Sequence, residues 1–383
     1  MLYALDRPCF VNSMMHLIRL TILAYLLSSY KSFSQNPKLI KEVLDSAYQK
    51  DPFFANVLIT HNEAVVFEQS FGYSDYLNKK PLTSNNSFQI ASVSKQFTAY
   101  GIMLLKNKGL LSYDSLVNKY LPSFPYERIT VRHLLTHSSG LPRFWEDIRP
   151  QLDTTKVNGN KETLDYLNKN NLSLQFTPGT DYQYSDIGYD FLANIIERLS
   201  GSNYQEFMDK HIFKPLKMND SFAYLVTDIR RIENKNLAIG HAYDINKGII
   251  YAHLLPKNNL VFYLGAFYGD GSVVTTARDL AKWDQALKEC KLLPCALQNE
   301  SIIPFSENGQ VFKTRKEGKI NYGFGWRIKN ENEVGRIIYH SGSHPGNRLM
   351  FYRLLDKKTT LIYLSNYEKP ANDVIIKRLI GLL

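Results

Sequence analysis

The feature that most limits how this chain can fold is the placement of its strand patterns, which lie toward its two ends and leave the middle helical. Residues 55–60 and 64–68 are short apolar runs around the polar turn His61-Asn62-Glu63, the pattern of an antiparallel hairpin. Strand patterns return at 323–329, 335–340, 347–355 and 359–366. Strand backbones need partners and apolar strand faces need cover, so the two sets are predicted to join in one antiparallel sheet. A helix is predicted before the first hairpin, where Leu39, Val43, Leu44 and Ala47 recur at helical spacing and Pro52 marks the exit. Another starts at Pro370 and presents Val374, Ile375, Leu379 and Leu383. The expected fold class is α+β, an antiparallel sheet flanked by terminal helices with a mainly helical inserted subdomain. A chain of 383 residues exceeds what one small core organises. A sheet subdomain is expected from about 35–90 plus 305–383, and a helical one from about 91–304.

Residues 1–34 read as a leader. Met14-Met15-His16-Leu17-Ile18-Arg19 is a short basic opening, Leu20 to Leu27 is apolar, and Ser32-Phe33-Ser34 offers small residues before Gln35. The apolar run is too short for a comfortable membrane span, so the layout predicts a secretory signal cleaved near Ser34–Gln35. An N-terminal amphipathic or anchoring helix is the competing reading. Residues 1–13 read as an over-extended start ahead of Met14 or Met15. The expected location is the periplasm or cell envelope, with no stable membrane span after cleavage. The net charge is +10, or +8 once Arg7, Arg19 and Lys31 are set against Asp6 of the leader. Basic residues are scattered, as in Arg230-Arg231, Lys313 to Lys319 and Lys357-Lys358, without a nucleic-acid motif. An acidic envelope suits such a balance. The three cysteines fit no metal frame; with Cys9 in the leader, Cys290 and Cys295 form either a local disulfide or a free pair.

Four stretches carry chemistry. In Phe88-Gln89-Ile90-Ala91-Ser92-Val93-Ser94-Lys95 a hydroxyl and an amine stand three residues apart where an apolar run gives way to a helix ending near Gly109. If Ser92 opens that helix, Lys95 lies one turn along on the same face, and the dipole there favours a developing anion. A neighbouring amine can take or relay the proton of a weak nucleophile. Ser-x-x-Lys is common, however, and Ser28 to Lys31 is a second copy. Residues 130–142 read as a helix ending in a turn; His133 and His137 at i,i+4 lack a third metal ligand and read as structural. In residues 177–189, Tyr184-Ser185-Asp186 follows a Pro-Gly turn and precedes a helix. A phenol beside an ammonium has its phenolate favoured and can act as general base. Tyr73-Ser74-Asp75, Tyr76-Leu77-Asn78 and Tyr166-Leu167-Asn168 are decoys of the same form. Finally, Tyr339-His340-Ser341-Gly342-Ser343 ends an apolar strand. His340 could supply charge or a hydrogen bond, Gly342 could admit a substrate, and the amide of Ser343 could join that of Ser92 in an oxyanion hole.

In this order, Ser92-x-x-Lys95, Tyr184-Ser185-Asp186 and His340-Ser341-Gly342 resemble the serine beta-lactamase and penicillin-binding-protein-like family. The resemblance is to its branch of AmpC-type lactamases, DD-peptidases, D-amino-acid peptidases and esterases, and runs from about Phe54 to Asn366. Supporting phrases are Phe71 to Asp75, His133 to Pro142, Gly269 to Leu280 and Tyr322 to Trp326. It implies a beta-lactamase/transpeptidase-like fold and acyl transfer through a serine ester, without metal or cofactor. Ser92 would be the nucleophile, Lys95 its proton partner, Tyr184 the general base and His340 the electrostatic group. The implied substrate is a small ester, peptide or lactam. Two departures weigh against an efficient lactamase. Asp186 stands where the family usually has Asn, and its charge should hold Lys95 protonated. His340 stands where AmpC-type lactamases have Lys, and is charged only partly near neutrality. The expected activity is therefore cleavage of an ester or a D-amino-acid amide, with lactam hydrolysis, DD-carboxypeptidase activity or simple ligand binding as alternatives.

Overall fold

The computed structural model describes residues 37–225, 233–258, 260–307, 310–311, 313–314, 318–319, 321–331 and 334–383. The leader, its cleavage point and the second Ser-x-x-Lys lie outside the described residues. Helix α1 (Pro37–Lys50) precedes the hairpin β1 (Ala55–His61) and β2 (Ala64–Phe71). Helices α2 (Lys95–Asn107), α3 (Asp186–Ser200) and α4 (Ala277–Lys288) belong to the middle of the chain. Strands β3 (Asn321–Tyr322), β4 (Arg327–Glu331), β5 (Gly335–His344), β6 (Asn347–Leu354) and β7 (Thr359–Ser365) then lead to α5 (Ala371–Leu382).

All seven strands form one antiparallel sheet in the order β3-β4-β5-β6-β7-β1-β2, so strands from opposite ends of the chain are neighbours. Ala55 pairs with Ser365 and His61 with Thr359. The strand period of two sorts β1 onto two cores. Val57 and Ile59 face the terminal helices, packing with Ile40 and Leu44 of α1 and Ile376 and Leu379 of α5. Leu58 faces the opposite way and joins Ile338, Phe351 and Ile362 against α2, α3 and α4. Both sheet faces are therefore covered, and α2 lies beneath the sheet as the spine of the larger core, buried along most of its length.

Three sequence expectations change. The middle is not purely helical: Phe88–Gln89, Val273–Thr275 and Phe222–Ala223 form a three-stranded sheet, and His241–Asp244 pairs with Gly248–Tyr251. These strands are too short to show a period. The run at 323–329 is broken, because Gly325 (φ 77°) turns the chain between β3 and β4. A Cβ there would lie 2.7 Å from the Cα of Gln96, so the turn rests directly on the start of α2. Strand β5 runs on to His344 rather than ending at His340, held by pairing to β6 through His344↔Asn347. Cys290 and Cys295 are joined in a disulfide.

Candidate active site

Ser92 lines a cleft of about 190 Å³ together with Asp186, Asp190, Asp270, Trp145 and Ser343. It does not open α2. Ala91 takes a left-handed backbone (φ 47°), and Ala91–Ser94 form a single 3₁₀ turn, so the helix begins at Lys95. The Lys95 amide donates to the Ser92 carbonyl, which keeps the two side chains on one side. Buried Ser94 accepts a hydrogen bond from the Val273 amide (3.1 Å) and ties the turn to the small sheet.

Lys95 is fully buried, and its ammonium donates to Ser92 Oγ (3.1 Å), Asp186 Oδ1 (2.8 Å) and the Asp270 carbonyl (3.0 Å). Burial pulls its pKa down, but the neighbouring acids, Asp186 foremost, outweigh that and hold it well above the ordinary lysine value. The expected effect of an acid at position 186 is present. Asp186 itself starts α3 and also accepts from Trp145 Nε1 (3.4 Å).

Tyr184 is the phenol that the fold brings to this pair. Its ring centroid lies 5.0 Å from Lys95 Nζ, which is itself bonded to Ser92 Oγ. Tyr73 and Tyr76 instead pack on Phe54, and Tyr166 packs against the helical core. The expected phenolate is corrected. Burial raises the Tyr184 pKa above the ordinary value, and the ammonium, already partly cancelled by Asp186, does not reverse the shift. His137 backs Tyr184 at 4.3 Å between centroids and accepts from the Ser185 amide (3.1 Å), so it positions the Tyr-Ser-Asp segment. His133 accepts from the Thr130 amide (3.2 Å) within a helix cap.

His340 is also corrected. It is buried, and Nδ1 lies 2.7 Å from the Ser341 carbonyl, which can only accept, so that nitrogen carries the proton. Nε2 then accepts from the Tyr322 hydroxyl (2.9 Å). Burial, with the positive charges of Lys95 and Arg327, pushes the His340 pKa well below the usual histidine value. The ring is neutral and contributes no cation. A Cβ at Gly342 would sit 2.3 Å from the Ile90 carbonyl, so the glycine lets β5 press against the residue before the Ser92 turn. Pairing of β5 with β4 ends at Tyr339↔Arg327, and at the far end of β5 Ser343 and His344 line the cleft with Ser92.

Asp190 and Asp270 were not singled out by the motifs. The signal was available: Asp186 and Asp190 stand i,i+4 at the start of one helix, which places both carboxyls on one face. Among the described residues, no three His, Cys, Asp or Glu side chains are arranged to hold a metal ion.

A serine bonded to a buried lysine one turn ahead, beside a sheet edge on this α+β scaffold, defines the serine beta-lactamase and penicillin-binding-protein class. Residues 54–383 match the Beta-lactamase family model, and the chain belongs to that family of hydrolases. Penicillin-binding protein 4* of Bacillus subtilis is 37% identical over 87% of this chain and 72% of its own length. A D-aminopeptidase of Brucella anthropi is 26% identical over 84% of this chain and 57% of its own. In fold, a penicillin-binding protein from Bacillus halodurans superimposes with a TM-score of 0.75 at 22% identity, covering 89% of this chain and all of that one. The D-amino acid amidase of Ochrobactrum anthropi SV3, complexed with D-phenylalanine, gives 0.72 at 23% identity over 90% and 97%.

Proposed function

We propose that the protein is an exported serine hydrolase that forms an acyl-enzyme on Ser92 and cleaves an ester or a D-amino-acid-type amide. The observation that carries this reading is the contact of 3.1 Å between Lys95 Nζ and the Oγ of the cleft-lining Ser92. Because Lys95 is an ammonium and Tyr184 a neutral phenol, neither holds a vacant site for the serine proton at rest. The reaction therefore calls for a relay. Ser92 Oγ attacks the acyl carbon while its proton passes to Tyr184 Oη, and the proton of Tyr184 passes to the departing oxygen or nitrogen. Lys95 lowers the cost of the negative charge that crosses the phenol, and its position next to Oγ orients the attack. Water then repeats the sequence to release the acid. The amides of Ser92 and Ser343 are the proposed oxyanion donors.

The lactamase alternative is disfavoured by charge. A lactam carries a carboxylate, and among the described residues the cleft lining contains Asp186, Asp190 and Asp270 with no lysine or arginine. The neutral His340 adds no compensating charge. The test is labelling with a fluorophosphonate followed by mass spectrometry, together with kcat/KM for p-nitrophenyl butyrate and for nitrocefin. Labelling on Ser92, lost in Ser92→Ala, and faster turnover of the ester are expected. Labelling elsewhere would end the mechanism, and faster turnover of nitrocefin would make lactam hydrolysis the primary activity. Asp186→Asn should move the ratio toward the lactam by restoring an amide donor.

A further inference from the structure

The cleft continues past the groups that the proposed chemistry uses. Gln89, Val261, His344 and Pro345 line it, and the same four residues line a second chamber of about 300 Å³. Leu237, Ile239, His253 and Asn347 stand among the other walls of that chamber. The two spaces meet along the segments that carry the proposed oxyanion donors, since Gln89 stands three residues before Ser92 and His344 directly follows Ser343. At 3.8 Å per residue, the Cα of Gln89 is at most about 11 Å from that of Ser92. Charge divides the spaces. The cleft lining holds Asp186, Asp190 and Asp270, whereas among the described residues the chamber lining holds no Asp, Glu, Lys or Arg. The chamber walls are fixed by the fold itself. Asn366 Nδ2 donates to the Ile239 carbonyl (2.8 Å), and the Tyr76 amide donates to His241 Nε2 (3.1 Å). A Cβ at Gly240 would lie 2.6 Å from the Pro345 carbonyl oxygen, so this wall presses on the turn between β5 and β6. A preformed, uncharged concavity binds by burying apolar surface at little ordering cost.

We propose that the chamber receives the far end of the acyl group, so that the preferred acyl donors carry an uncharged chain of medium length rather than an acetyl group. The acyl carbon sits at Ser92, and its chain runs past Gln89 and His344 into the space beyond. The alcohol or amine must depart after the first step, whereas the acyl group stays on Ser92 until water arrives. A walled chamber suits the part that stays. An acetyl group ends beside the oxyanion donors and leaves the chamber unused. This inference rests on Ser92 as the nucleophile for the placement of the acyl carbon, but the preference for chain length can also be measured without turnover.

The test is kcat/KM for p-nitrophenyl acetate, butyrate and octanoate in the full-length parent and in Ile239→Trp and Leu237→Trp, whose larger side chains occupy the chamber. A buried methylene is worth about fourfold, so octanoate should exceed butyrate by roughly tenfold or more in the parent. The variants are read as the ratio of octanoate to acetate within one protein, which a general loss of folded enzyme does not move. Filling the chamber should lower that ratio by about tenfold. No gain with length in the parent would overturn the proposal. A gain that survives both fillings would overturn it too, because the cleft alone would then hold the chain. A gain for octyl acetate over ethyl acetate, absent on the acyl side, would place the alcohol there instead and end the assignment. If neither variant retains activity, calorimetry on Ser92→Ala decides: octanamide should bind at least about tenfold more tightly than acetamide, and equal affinities would sink the idea. Preference for octanamide without fluorophosphonate labelling of Ser92 in the parent would sink the hydrolase reading alone, and labelling without a preference for length would sink only this one.

Discussion

At the residue scale, the geometry separates groups that the motifs leave equivalent. Tyr184 meets Lys95, whereas Tyr73, in a segment of the same Tyr-Ser-Asp form, packs on Phe54. Loss of a proton-transfer group commonly costs about 10²–10⁴ in rate. Tyr184→Phe should therefore lower kcat/KM for p-nitrophenyl butyrate by that range, with Tyr73→Phe close to the parent; the reverse order would reassign the relay. His340 yields a prediction about pH. Its pKa lies well below the usual value, so it carries no proton-linked charge as the pH passes through the ordinary histidine range. His340→Gln should change the height of the kcat/KM profile between about pH 6 and 8 but not the pH at which it bends. A limb near the ordinary histidine pKa that vanishes in His340→Gln would show that the ring does titrate. The sequence names this histidine but is silent on its charge, because burial and the proximity of Arg327 and Lys95 come from three separate segments.

At the element scale, α4 is pinned to the sheet by one buried carboxylate. Asp284 accepts from Arg353 Nε of β6 (2.6 Å) and Thr360 Oγ1 of β7 (2.6 Å), and it pairs with Lys288 (2.7 Å). Removing it strands two cations, one of them buried, so Asp284→Ala should cost about 3–5 kcal/mol in urea unfolding. Burial raises the Asp284 pKa, but Arg353 and Lys288 more than offset this and leave it below the ordinary carboxylate value. A depressed carboxyl stabilises above its unfolded pKa and loses that contribution as the pH falls through the folded one. The stability gap between parent and Asp284→Ala should accordingly narrow at acidic pH; a gap independent of pH would mean that packing, not charge, is lost. The turn that carries Ser92 shows the same dependence on neighbours. A helix start at Ser92 is the simplest local reading, yet the left-handed Ala91 and the close approach of β5 at Gly342 shift it to Lys95.

At the scale of the whole molecule, the family and the fold place a hydrolase scaffold around one acid-rich cleft. The leader expected from the sequence at residues 1–34 bears on where that cleft works. Among the described residues no helix is long and apolar enough to cross a membrane. Intact-mass measurement of protein purified from the cell envelope should give a chain beginning near Gln35, and a chain retaining residues 14–34 would defeat export by cleavage. What the sequence by itself determined was set by periodicity and short spacing. The apolar run of β1, the helical repeats of α1 and α5, and the order of the three motifs are local patterns, and they carry the α+β architecture and the family. The tertiary structure alone decided the rest. The short strands at 88–89, 222–223 and 273–275 have no readable period and exist only because each completes another. The neutral Tyr184 and His340 and the ammonium of Lys95 are consequences of burial and of charges from distant segments. Protonation follows the sum of desolvation and long-range charge, and no window of sequence contains that sum.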